Sequence, residues 1–234
     1  MNPTRLPGPD FRDWPASLPP VLAGGADWIA LDKPAGLAVH PGPRTPDSLE
    51  TRLLACGSRA RPAHRLDRDT SGVLLLGRNR AGLRRLSAAF AAGAIAKAYL
   101  ALLAGAGDLG ADGLVSAPLA KRSGRGTGWR MVVARDGAPA ETRWRLLAQR
   151  GGLALVMMQP LTGRTHQLRV HAGVLAPGAA IRGDPVYGRA DPAGLMLHAW
   201  SLELPGRDGE RVTVRSPLPA RFVTLGFGPG DLPA

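Results

Sequence analysis

The chain has 234 residues, 44% of them hydrophobic and 21% charged, which sustains a buried core and excludes intrinsic disorder. One cysteine, Cys56, rules out an intrachain disulfide framework and any zinc site built on several cysteines. The formal net charge of +12 points to a polyanion such as nucleic acid. Nearly all of that charge is arginine, since Lys33, Lys97 and Lys121 are the only lysines. Arginine's planar fork suits phosphates and base edges, yet a chain so rich in Ala, Gly, Pro and Arg is also what a GC-rich coding sequence produces. Aromatic residues make up 5%, too few for a generic single-strand binder made of stacking platforms. Residues 1–13 lack the apolar core of a secretory signal. No apolar run approaches the roughly 18 residues that span a bilayer, so a soluble, cytoplasmic protein is expected.

In chain order, residues 1–26 are rich in proline and glycine and read as an arm on a surface. Asp27 to Lys33 alternates weakly like a strand and is stopped by Pro34 and Gly36. Asp47 or Ser48 is placed to cap a helix carrying Leu49, Leu53 and Leu54. Val73 to Leu76 is the best candidate for a buried strand. A helix over 80–92 sets Leu83, Leu86 and Phe90 on one face, with Arg80, Arg84 and Arg85 largely off it. Lys97 to Leu103 reads as a strand. The stretch 105–128 is glycine-rich and loop-like, with Lys121, Arg122 and Arg125 close together; a phosphate-contacting loop and a solvated connection both fit it. Further strands are expected at 130–134, 141–147, 153–160, 195–204 and 211–215, and a helix over 165–175. Strands around only a few helices imply an α+β fold with a mixed, mostly antiparallel sheet.

Three segments carry candidate chemistry. Lys33 to Gly42 (KPAGLAVHPG) is a rigid Pro/Gly loop at a strand end, and reads first as a structural turn. His64 to Gly72 (HRLDRDTSG) packs two carboxylates, two arginines and a histidine into one turn. Asp69, Thr70 and Ser71 are suited to bonding local backbone amides there, with Gly72 in a strained conformation. Asp67, after Leu66, is not needed to make the turn. In Leu161 to His171 (LTGRTHQLRVH) a helix would align Arg164, Leu168 and His171 on one face. An arginine on an apolar stripe needs a carboxylate partner, and Asp67 is a natural one, which would keep that carboxylate ionised and aimed as a nucleophile. A solvent-exposed Arg164 at a helix start is the alternative.

Metal chemistry is disfavoured: His166 and His171 are five apart, so on a helix they point about 140° away from each other, unlike the paired ligands of i, i+4 zinc motifs. No phosphate loop or dinucleotide glycine fingerprint is present.

Together these segments resemble the RluA-type pseudouridine synthases. The matching pieces are HRLDRDTSG at 64–72, KAYLAL at 97–102, LTGRTHQLRVH at 161–171, GDPVYG at 183–188 and LMLHAWSLELP at 195–205, with KPAGLAVHPG near the start. The resemblance runs from about Asp27 to Phe222. It implies a catalytic domain over 27–225, between an arm at 1–26 and a tail at 226–234, with flanking helices and a central RNA-binding cleft. It also implies a uridine isomerase acting on ribosomal or transfer RNA by base flipping, with no cofactor and no metal. A monomer is the default expectation. Asp67 matches the family's catalytic aspartate, Tyr99 its active-site tyrosine and Arg164 the arginine paired to the aspartate. Arg65 matches a position that helps hold the flipped-out state. His64, Thr70, His166, Gln167, Arg169 and Leu197, in the same segments, are expected to contact the RNA. The chain departs from the family at Ala179 and Ala180, where His-Pro is usual, and at Arg182 before Gly183. It also lacks the S4-type module of some relatives, so the catalytic domain is expected to bind RNA by itself. A non-catalytic RNA-binding or ribosome-assembly protein is the rival reading. A metal-dependent nucleic-acid hydrolase is another, distinguishable by chelator sensitivity.

Overall fold

The structure, a computed structural model, describes residues 14–43, 45–124, 128–206 and 209–233. Strands β1 (Val21–Gly24) and β2 (Trp28–Lys33) pair antiparallel, so part of the expected arm is a sheet edge. Helix α1 (Leu49–Ala55) is capped by Ser48 in a capping box with Thr51 and buries Leu49 and Leu53, while Leu54 faces out. The short β3 (Arg61–Pro62) and the wholly buried β4 (Ser71–Gly77) follow. Helix α2 (Arg80–Ala91) is capped by Asn79. Next come β5 (Ala96–Ala104), β6 (Asp112–Ser116), β7 (Leu119–Gly124), β8 (Gly128–Val133), β9 (Glu141–Arg150) and β10 (Leu153–Pro160). The chain ends with α3 (Gln167–Leu175), β11 (Ala180–Ile181), β12 (Leu197–Pro205), β13 (Arg211–Arg215) and α4 (Ala220–Val223). The stretch 105–128 therefore contains strands, β6 and β7, where the sequence suggests a loop. Arg125 lies outside the described residues.

The fold is α+β and mostly antiparallel, as expected. The chain divides into two compact units, one running to Ala96 and including Ala199–Pro217, the other comprising Lys97–His198 and Leu218–Ala234. In the first unit the strand order is β1-β2-β4-β12, with β3 on β4 and β13 on β12. One sheet face supplies Trp28, Ala30, Val73 and Leu75 to a core shared with Leu86 of α2, Ile95, Leu202, Leu204 and Val214. Ile29, Leu31, Leu74 and Leu76 on the other face are also buried, which explains the uninterrupted apolar run in β4. Helix α2 comes so close that a Cβ on Gly82 would stand 1.9 Å from the Asp27 carbonyl oxygen. Arg85, one turn further along α2, grips the buried Asp27 carboxylate through two bonds of 2.9 and 3.0 Å.

In the second unit the order is β5-β10-β9-β6, with β11 on β5, and β7 and β8 form a separate hairpin. The base of the hairpin is anchored by Leu119 and Met131, which cluster with Ala140 and Val170 of α3. Residues 218–233 contribute to the packing: Phe222 and Phe227 are fully buried, and Arg150 lies 4.9 Å over the Phe227 ring and bonds Asp231. Among the described residues no helix is long and apolar enough to cross a membrane.

Candidate active site

Asp67 sits in the turn that feeds β4. Its carbonyl accepts from the Thr70 amide at 3.1 Å, and its side chain is half-buried. The turn is fixed from beneath by Lys33. That side chain is fully buried, and its ammonium donates to the carbonyls of Pro34 (2.8 Å), Leu37 (2.7 Å) and Arg68 (2.9 Å). The Gly36 amide adds a second bond to the Arg68 carbonyl at 2.9 Å. The KPAG segment is thus the clamp of the aspartate turn, a role that a lone Pro/Gly loop does not reveal.

Gly72 takes φ +112°, and a Cβ there would lie 2.1 Å from the Ala199 carbonyl oxygen, so the residue after Ser71 has to be glycine. Thr70 is buried. Asp69 pairs with its neighbour Arg68 through bonds of 2.9 and 3.1 Å, where the sequence assigns it to backbone amides. Its exposed ion pair adds little stability. Arg65 is exposed. His64 accepts the Leu75 amide on Nε2 at 2.9 Å and packs on Phe90 with ring centres 4.5 Å apart. That acceptor role leaves the proton on Nδ1, and it makes His64 a strut of β4.

In the second unit Tyr99 lies on β5 opposite Met158 of β10 and is half-buried. Lys97, two residues earlier and so on the same sheet face, reaches the Thr162 carbonyl at 3.2 Å. The Tyr99 face of β5 is thereby tied to the loop that carries Arg164. Burial lowers the Lys97 pKa.

Helix α3 begins at Gln167, two residues later than the sequence suggests. Its N-cap, His166, sits in the left-handed region at φ 53° with no side-chain cap. The loop is organised instead by the buried Gln167 amide. Its oxygen accepts from Thr162 Oγ1 (2.7 Å) and the Arg164 amide (2.9 Å), and its nitrogen donates to the Glu141 carbonyl (2.9 Å) and Thr142 Oγ1 (3.0 Å). All four capacities of the amide are used.

Arg164 therefore precedes the helix and is exposed, its Nε bonding the Pro139 carbonyl at 3.0 Å. The helical stripe that was to bury it does not form. The buried arginine of this segment is Arg169, held by both oxygens of Asp184 at 2.7 Å. Asp184 also accepts the amides of Val186 and Tyr187. Burial opposes its ionisation, but the guanidinium and those amides hold its pKa below the usual carboxylate value.

Arg169 and Gln167, both expected to contact RNA, are buried and bonded to the protein partners just given, and Leu197 is buried at the start of β12. Asp184 and Tyr187 are supports missed by the sequence reading, although the GDPVYG segment holds both. The Tyr187 hydroxyl accepts the Met131 amide at 2.9 Å and shares a 2.8 Å hydrogen bond with His166 Nδ1, which pins the strained His166. His171 is buried between Thr142 Oγ1 and the Ala117 carbonyl, and burial lowers its pKa. Among the described residues no group of three or more His, Cys, Asp or Glu side chains is placed to hold a metal ion.

Comparison with known proteins places this geometry in context. Residues 27–173 match the family model described as RNA pseudouridylate synthase. An uncharacterized RNA pseudouridine synthase of Zymomonas mobilis is 44% identical over 88% of this chain and 97% of its own length. The ribosomal large subunit pseudouridine synthase D of Nitrosomonas europaea is 37% identical over 84% of this chain. The corresponding synthase C of Vibrio cholerae is 36% identical over 83%. The chain spans 61% and 64% of the length of those last two relatives. Among solved structures, human RNA pseudouridylate synthase domain containing 1 superposes with a TM-score of 0.70 at 28% identity, covering 85% of this chain and 83% of its own.

Proposed function

The chain belongs to the RNA pseudouridine synthase family, and on that premise we propose that it isomerises uridines in ribosomal RNA, with Asp67 as the nucleophile. The observation that carries the reading is the extent of the family match, which takes in Asp67, Tyr99 and Arg164 together. The ribosomal substrate follows the names of the Nitrosomonas and Vibrio relatives; transfer RNA is the other candidate. The catalytic region is assigned to 27–225, in a monomer working in the cytoplasm.

In this reaction the N1–C1′ bond of uridine breaks, the base turns, and a C5–C1′ bond forms. The C5 proton is lost and N1 gains one, so no external oxidant or reductant is required. A uridine inside folded RNA has to be flipped out at a cost of a few kcal/mol, and contacts between a basic surface and phosphates offset that cost. Asp67 engages the flipped nucleotide. Arg65, exposed and two residues away, fills the vacated stack. Tyr99 stacks on the base and is placed in the family's scheme to accept the C5 proton. Arg164, exposed before α3, stands at the position of the arginine that the family pairs with the aspartate, and its planar fork is what such a pairing requires. His64, Thr70, Gln167, Arg169 and Leu197 act from within the protein, shaping the segments that meet the RNA.

The test is tritium release from cellular RNA carrying 5-tritiated uridine, fractionated into ribosomal and transfer RNA and run with and without chelator. Release from the ribosomal fraction, unaffected by chelator, is the expected result. Release from transfer RNA alone would move the substrate, and tight binding without release would favour a non-catalytic binder.

A further inference from the structure

The β7–β8 hairpin carries an aromatic residue that the fold does not bury. Toward its base, Leu119 and Met131 enter the core. Toward its tip the same face presents Lys121 and Trp129, which follow by strand alternation and by the Lys121–Met131 and Ser123–Trp129 register. The indole stacks on the His166 ring, with centres 5.3 Å apart and planes at 22°, and yet 43% of Trp129 stays exposed. The Lys121 ammonium lies 4.6 Å from the indole centre. The opposite face of the hairpin exposes Arg130 and Arg122, the latter bonded to both carboxylate oxygens of Asp136 at 2.5 and 2.7 Å, so Lys121 is the cation at the ring and Arg130 adds positive charge to the same hairpin. His166 is itself immobilised: a non-glycine residue in a left-handed conformation, bonded to Tyr187, whose hydroxyl also holds the Met131 amide of β8. Hairpin, ring and loop are thus braced together, and the indole is a rigid surface.

An exposed, rigid indole amid cations fits one class of partner. Nucleobases stack on aromatic rings regardless of sequence, while lysine and arginine track the backbone. We propose that Trp129, backed by His166 and flanked by Lys121, is a stacking platform for an unpaired base of the RNA other than the flipped uridine. On contact the flexible Lys121 ammonium moves from the ring to the adjoining phosphate. This rests on the reading of the chain as an RNA-modifying enzyme, and it adds a second binding point to that reading.

The experiment measures binding of the full chain to a fluorescent 12-mer oligouridylate, and to a 12-mer of the same ribose-phosphate backbone without bases, by anisotropy. Trp129→Leu is expected to weaken oligouridylate binding about tenfold, or 1.4 kcal/mol, and to leave the baseless oligomer within about twofold, well below that stacking loss. Trp129→Phe, which keeps a ring against His166, is expected to lose about threefold, a smaller share of the stacking range, and carries the test if the leucine variant unfolds. Lys121→Gln should weaken both oligomers alike and reduce the salt dependence. Unchanged oligouridylate affinity in Trp129→Leu, or equal losses on both oligomers, would overturn the proposal. Tritium release by the wild type is scored separately, so failure of the synthase reading and failure of the platform give different results.

Discussion

The Asp67 turn is braced by a cation: the buried Lys33 ammonium gathers three carbonyls, one from the turn itself. The Arg164 loop is braced by a neutral amide, Gln167, and by a carboxylate–guanidinium pair one helical turn behind it. In both regions the signature residues divide the same way. Lys33, Thr70, Gln167 and Arg169 are buried, while Arg65 and Arg164 are exposed. The buried members shape the backbone and the exposed ones are available to RNA. Substitutions should therefore separate into those that cost stability and those that cost turnover.

The largest stability effect is expected at the Arg169–Asp184 pair. Asp184→Ala strands a buried guanidinium and releases two amides, so a loss of about 3–5 kcal/mol is expected in denaturant unfolding. A loss under about 1 kcal/mol would show that the pair is not a support, since surface pairs contribute that little. Lys33→Met takes the ammonium from three carbonyls, of which that of Arg68 keeps the Gly36 amide, and should cost about 2–3 kcal/mol, together with activity, because the Asp67 turn loosens. If stability falls while turnover per folded molecule holds, the clamp does not serve the aspartate.

Arg164→Met should do the reverse, leaving the unfolding midpoint in place while turnover drops on the order of 10²-fold, as for the loss of a charge-assisted contact to a reacting group. Arg164→Lys should already be poor, since a point charge does not replace the fork. A fully active lysine variant would exclude fork geometry. Tyr99→Phe should be milder than Tyr99→Ala because stacking survives, and equal losses would remove that role.

The smallest effect is set by pH. His171 is held neutral by burial, so the unfolded chain takes up a proton below about pH 6.5 that the folded chain refuses, and stability falls as the pH drops through that range. Asp184, with its lowered value, contributes stability that persists above the ordinary carboxylate range and is lost only below about pH 4. A thermal midpoint unchanged between pH 7 and 5.5 would contradict the His171 assignment.

Much of this was legible from the chain. The uninterrupted apolar β4, a cap at Asp47 or Ser48 (Ser48 takes it) and β13 follow from local pattern, because burial and capping leave a period or a fixed spacing. The hairpin strand β7 did not show, since the run AKRSG has no apolar alternation and is stabilised by its partner strand and by Met131. Arg164 was misplaced for a related reason. The sequence starts the helix at Thr165, whereas Gln167 reaches back across the loop and His166 takes a left-handed turn, a nonlocal arrangement. The rule that a buried arginine needs a carboxylate held, but for Arg169 with Asp184, fifteen residues apart.

The most direct test of the central claim is single-turnover tritium release from the substrate RNA by wild type and Asp67→Asn, with RNA affinity and unfolding midpoint measured on the same samples. The account expects release to fall by on the order of 10⁴-fold, as for loss of a residue essential to chemistry, with affinity and midpoint little changed. Full release by the folded asparagine variant would contradict it and remove Asp67 from the reaction.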